Sequence, residues 1–157
     1  MSLIKFANIL TRIRKSLLIV CIVCIIGSLI CSFFMLKCED MYYDDHINEY
    51  VFEEYINPFG PSFISLISLC MTLSVVSLVF SFFKKKGLFI PSFITNVILV
   101  VVLIICVIFA GISIAYVWEE APAIIATVLC GISIVASIIS LLCGFVRLKI
   151  FSSSEPK

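Results

Sequence analysis

The side chains able to do chemistry here are cysteines, serines and one histidine, and most of them stand in apolar surroundings. Cys21-x-x-Cys24 has the spacing of a redox dithiol. No charged or polar neighbour in that stretch would generate the thiolate that redox work needs, so the pair reads as core packing. The chain has eight cysteines, and Cys21, Cys24, Cys31, Cys70, Cys106, Cys130 and Cys143 all lie within apolar runs. Cys38 alone lies in a polar segment, where it has no second cysteine for a local disulfide. It is either a partner for another chain or a free thiol. His46 sits with Asp44, Asp45 and Glu49. That group lacks the spacing of a zinc site or a calcium loop, so the histidine reads as solvated. No nucleophile–base pair and no metal constellation emerges, which argues against an enzyme and gives no cofactor.

Serines and other small residues form the more regular pattern. Ala123, Ala126, Cys130, Ser133, Ser137, Ser140 and Gly144 recur at alternating steps of three and four. Cys21, Cys24, Ser28 and Cys31 follow a similar rule, as do Cys70, Ser74, Ser77 and Ser81. A shorter set is Cys106, Ala110 and Ser113, beside the pair Gly111 and Ala115. A sustained seven-residue period puts such residues on one helix face. Small side chains let backbones approach closely in lipid, where no hydrophobic drive brings helices together. The period predicts a left-handed bundle with a small-residue seam. A rival reading has the Ser74, Ser77, Ser81 face line a narrow, uncharged pore. Asn96 is the one strongly polar side chain within the runs and reads as a hydrogen-bonding contact between helices.

The elements that carry these residues are four uncharged apolar runs, 16–36, 62–83, 92–117 and 122–146. Each is long enough, at about 20 residues, to cross about 30 Å of hydrocarbon. With 157 residues that are 62% hydrophobic and only 13% charged, and a mean hydropathy of +1.25, four such runs cannot hide inside a small soluble globule. The expected fold is an all-α membrane protein, a four-transmembrane-helix bundle with short hairpin loops. Pro91 and Pro122 fit the first turns of the third and fourth spans.

Charge sets the expected topology. Residues 1–15 carry Lys5, Arg12, Arg14 and Lys15 and no acid; the loop after span two is Lys84-Lys85-Lys86; the tail 147–157 carries Arg147, Lys149 and Lys157 against Glu155. The loop 37–61 carries seven acids against Lys37, and the last turn carries Glu119 and Glu120. Short loops rich in Lys and Arg stay cytoplasmic, so both termini and the lysine loop are expected inside, in the plasma membrane or an endomembrane. The N-terminal run is too long for a signal-peptide core and is expected to stay as an anchor. The loop 37–61 contains no glycosylation sequon.

Two segments remain between the spans and the termini. Residues 3–15 read either as an amphipathic helix lying in the headgroup layer or as an extension of span one. In the outer loop, Asp44 or Asp45 is placed to cap a short helix containing Ile47, Tyr50, Val51 and Tyr55. Asn57-Pro58-Phe59-Gly60-Pro61 would then turn the chain into span two. The loop's aromatics and Trp118 suit a membrane interface. Cys143, near Arg147, stands where palmitoylation occurs.

The order of four spans, a larger first outer loop and inner termini resembles small four-span membrane proteins of the MARVEL and claudin kind. The likeness covers the whole chain as layout. The claudin Trp…Gly-Leu-Trp…Cys…Cys pattern, the Cys-Cys-Gly of tetraspanins and the Arg/Asn/Glu signature of the glutathione-using membrane enzymes are all absent. A MARVEL-like protein would act in membrane organisation, junctions or vesicle traffic. The function class expected is a non-enzymatic scaffold or accessory subunit, working through lateral helix contacts and the acidic loop. The alternative is a subunit of a small oligomeric channel. The partners expected are the bilayer and another membrane protein or a second copy, with no nucleic acid.

Overall fold

The computed structural model describes residues 3–44, 49–82, 89–114 and 120–153. Four helices make an all-α bundle: α1 Leu3–Phe34, α2 Gly60–Phe82, α3 Phe89–Ile114 and α4 Glu120–Ser153. Each contains a stretch long and apolar enough to cross a membrane. By length and composition this is a multi-pass membrane protein. Helices adjacent in sequence pack together, and α1 closes the ring against α4.

The buried positions explain why these helices associate. In α2 they are Gly60, Phe63, Ile67, Cys70, Ser74, Ser77 and Ser81, an unbroken alternation of three and four. In α3 the same alternation runs Ser92, Asn96, Leu99, Leu103, Cys106, Ala110 and Ser113. In α1 it runs Leu18, Cys21, Ile25, Ser28 and Ser32, and Met35 just past the helix end continues it. This is the seven-residue repeat of a left-handed bundle. The other faces expose Ile and Val, among them Val23, Ile30, Ile104, Ile108, Val128 and Val135, as a lipid-facing surface does.

Helices α1 and α4 approach closely at Gly27. A Cβ built on Gly27 would lie 2.8 Å from Leu129 Cδ1, closer than packed carbons stand, so the missing side chain permits the approach. The proline positions are consistent with the helix starts: Pro61, Pro91 and Pro122 all fall in first turns, where an absent N–H breaks no helical bond.

The segment 3–15 is continuous with the span, with no break between Leu3 and Phe34. At about 1.5 Å per residue α1 is roughly 48 Å long, well beyond the hydrocarbon thickness.

The loop between α1 and α2 differs from expectation. In place of a short helix, Tyr50, Val51 and Tyr55 lie in one of two antiparallel strands, β1 Lys37–Asp44 and β2 Glu49–Ile56; Asp45 and Ile47 lie outside the described residues. The register sets Tyr43 opposite Tyr50, Tyr42 opposite Val51 and Met41 opposite Phe52. Aromatic and β-branched residues favour strands, and pairing the two runs satisfies backbone groups that an isolated helical turn would leave open. The register also sets acid opposite acid at Glu39–Glu54, Asp40–Glu53 and Asp44–Glu49.

Asn57 fixes this ribbon to the bundle. It is fully buried. Its N–H donates to Leu36 O at 2.9 Å, and its Nδ2 donates to Met35 O at 3.1 Å. Its Oδ1 accepts from Phe59 N–H at 3.0 Å. Together these three bonds tie the α1 end to the α2 start. Gly60 lies beneath: a Cβ there would sit 3.1 Å from Leu36 Cδ2.

Candidate functional site

The candidate site is a polar seam inside the bundle, built from the inward positions of all four helices. Cys21, Ser28, Cys70, Ser74 and Ser77 are fully buried, and Cys24 and Ser81 nearly so. Ala123, Ala126, Cys130, Ser133, Ser137 and Ser140 are fully buried, and Gly144 is buried. In α3, Cys106, Ala110 and Ser113 are buried as well. Cys31 is only half-buried and Gly111 is exposed, so these two lie off the inner face. Ala115 lies outside the described residues.

The seam is held by weak contacts between helices. Cys21 Sγ lies 3.4 Å from Ser137 Oγ and 3.9 Å from Ser74 Oγ. It thereby joins α1 to both α4 and α2. Ser28 Oγ donates to Ala126 O at 3.4 Å and accepts from Cys130 Sγ at 3.5 Å. Ser133 Oγ donates to Leu129 O within its own helix at 2.9 Å. Asn96 Nδ2 donates to Ser137 O at 3.2 Å, linking α3 to α4. Ser92 Oγ donates to Ser77 O at 3.2 Å, linking α3 to α2. Such bonds in a bilayer are each worth about 0.6 kcal/mol. They set register more than they set stability.

One cysteine from each helix reaches the middle of the bundle: Cys21, Cys70, Cys106 and Cys130, all free thiols and fully buried. Cys70 and Cys106 approach to 3.8 Å between sulfurs. Among the described residues, no group of three or more His, Cys, Asp or Glu is placed to hold a metal ion.

The residues expected to set topology divide in the structure. Arg12 and Lys149 are exposed, and Arg147 is half-buried. Lys15 is half-buried with its Nζ 4.0 Å from the Phe82 ring centre, a cation–π contact between α1 and α2. Arg14 is buried between helices at 2% exposure, and its Nη2 donates to Ser92 Oγ at 2.6 Å. Its charge alone did not foresee this burial. The signal was present in the spacing: Arg14 precedes Leu18 by four residues and Cys21 by seven, and so continues the inward register of α1. Asn57 was also missed, because a turn sequence gives no sign that its side chain goes inward. Cys143 is half-buried near the end of α4. Lys84, Lys85, Lys86, His46 and Trp118 lie outside the described residues.

No protein-family profile matches this chain, no curated protein matches it significantly, and no solved structure does.

Proposed function

We propose that this protein is a non-enzymatic scaffold or accessory subunit of a membrane complex. In this reading both termini are cytoplasmic and the β-ribbon lies outside or in a lumen. The protein works through lateral helix contacts and through the acidic ribbon, in the manner of a MARVEL-like organiser of membranes, junctions or traffic.

The observation that carries the reading is where the polar groups go. Ser74, Ser77, Ser133 and Ser137 are engaged within one chain, by Cys21, Ser92, Leu129 and Asn96. Ile and Val cover the outward faces. A pore between copies would need the Ser74, Ser77, Ser81 face turned outward, and here it is inside. The acid-on-acid register of the ribbon adds support for a partner. A ribbon so rich in acids would suit a partner with a cationic surface. Cys143 is the position proposed for palmitoylation.

Mild crosslinking in the native membrane, followed by mass analysis of the extracted complex, tests this. A different membrane protein at fixed stoichiometry is expected. A closed homo-oligomer that conducts ions in proteoliposomes, with a conductance changed by Ser77→Leu, would replace the scaffold reading with a channel.

A further inference from the structure

Hydroxyls on these helices are mostly engaged close to home. On α4, Thr127 Oγ1 donates to Ala123 O at 2.8 Å and Ser133 Oγ to Leu129 O at 2.9 Å. On α2, Ser74 Oγ donates to Cys70 O at 2.8 Å. Each bonds the carbonyl four residues back, a partner within reach of any helical hydroxyl. Ser137 Oγ instead meets Cys21 Sγ at 3.4 Å. Ser140 does neither: it is fully buried, and its Oγ has no hydrogen-bond partner. Ser113 Oγ is in the same condition, but on α3 it lies about 25 Å along the helix from Asn96.

A second unmet group lies against the same stretch of α4. Asn96 is fully buried. Its Nδ2 donates to Ser137 O at 3.2 Å, which sets the planar amide against α4 just short of Ser140. Its Oδ1 has no hydrogen-bond partner. Helical side chains lean toward the helix N-terminus, so that of Ser140 lies over the turn containing Ser137. An unmet acceptor and an unmet hydroxyl therefore flank one carbonyl.

Depth makes both groups costly. Asn96 stands seven residues after the start of α3 at Phe89, about 10 Å along the helix and inside its apolar stretch. A polar group left open in hydrocarbon is penalised far more than one in water, and folded interiors rarely keep such groups. The needs of the two groups define the ligand. Oδ1 only accepts, so the ligand must donate a proton, and an anion would meet the negative end of the amide dipole. Hard cations such as Ca²⁺ and Mg²⁺ gather about six oxygens or more, against the two unmet ones here. A neutral molecule that both donates and accepts remains, and water is the smallest. Two polar partners are enough to retain an interior water. With hydrogen bonds of about 2.8 Å on either side, one water joins oxygens up to about 5.5 Å apart.

We propose that Asn96 Oδ1 and Ser140 Oγ hold a resident water molecule between α3 and α4. The water donates one proton to Asn96 Oδ1 and makes its second bond with Ser140 Oγ. It completes the α3–α4 contact that Asn96 Nδ2 begins at Ser137 O.

The test is water-edited solid-state NMR on the full chain in phosphatidylcholine bilayers, with water itself as the probe. Magnetisation is expected to pass from water to the Asn96 side-chain amide, and not to Leu103, buried two turns further along the same face of α3. Ser140→Ala should abolish the transfer to Asn96, because a single partner does not retain a water. Ser133→Ala should keep it, since that hydroxyl serves its own helix. Bulk water seeping into the bundle would reach Asn96 with or without the Ser140 hydroxyl. No transfer to Asn96 in the wild-type chain would overturn the proposal, as would unchanged transfer in Ser140→Ala. The unfolding temperature gives an independent sign. Ser140→Ala should lower it by removing a bond to the water, and a rise, the result of deleting a hydroxyl with no partner, would also overturn the site. Should Ser140→Ala not fold, Asn96→Leu carries the test, read at the Ser140 side chain, with loss of transfer expected and unchanged transfer overturning the site.

Discussion

The two ends of the bundle interior are filled in different proportions. Toward the β-ribbon, the core holds the large side chains Met35, Phe63 and Ile67 together with the small Ala110, Ala123 and Ala126, and fewer polar groups, Ser28, Ser32, Asn57 and Ser113. Toward the termini, it holds Arg14, Ser77, Ser81, Ser92, Asn96, Ser137 and Ser140. The first end gains dispersion energy from filled volume. The second gains little energy per contact and instead fixes which helix meets which, because each polar group has few acceptable neighbours. A bundle in lipid cannot use water to drive its helices together. Volume at one end and polar matching at the other serve two purposes, stability and a placed set of polar groups.

The largest effect should come from emptying the apolar end. Phe63 is fully buried in the core cluster with Ile67, Met35 and Ala110. Phe63→Ala should cost about 3–5 kcal/mol, the range for a deleted buried aromatic, read as a large fall in unfolding temperature in detergent. A loss no bigger than that of a seam serine would erase the distinction between the two ends.

Next in size is Asn57→Ala. It removes the donor to Met35 O and the acceptor for Phe59 N–H, leaving buried backbone groups open at a cost of about 1–3 kcal/mol. Hydrogen exchange should rise at the α1–α2 connection and in the ribbon, while the end near Arg14 keeps its protection. Uniform loss of protection along the bundle would mean that the two ends unfold as one unit.

Most of the architecture was legible in the sequence, for a physical reason. Spans depend on run length and charge exclusion, which a sequence displays directly. The seam depends on a three–four spacing, which it also displays. The ribbon was not legible, because Ile47, Tyr50, Val51 and Tyr55 fit a helical spacing while the same aromatic and β-branched types favour strands; the choice depends on a pairing partner that spacing does not identify. The burial of Arg14 was not foreseen because residue type and register pointed to different features. Its charge marked a flank of the span, while its register, four residues before Leu18, marked an inward side chain. Asn57 depends on the meeting of two chain segments 22 residues apart, which no local pattern encodes.

The smallest effect sharpens the comparison most. Ser77 is fully buried and its hydroxyl reaches Ser92 O at only 3.5 Å. Ser77→Ala removes that contact and almost no volume, so it should cost only about 0.6 kcal/mol. The bond from Ser92 Oγ to Ser77 O uses backbone at position 77 and survives the change. Arg14 should therefore stay anchored on Ser92, and the unfolding temperature should move by little. Paired with Asn96→Ala in a double-mutant cycle, Ser77→Ala should show a coupling larger than the measurement error if the polar end acts as one network. Strict additivity of the two substitutions would reduce that end to a set of separate, interchangeable contacts, and the contrast with the apolar end would then be one of size alone.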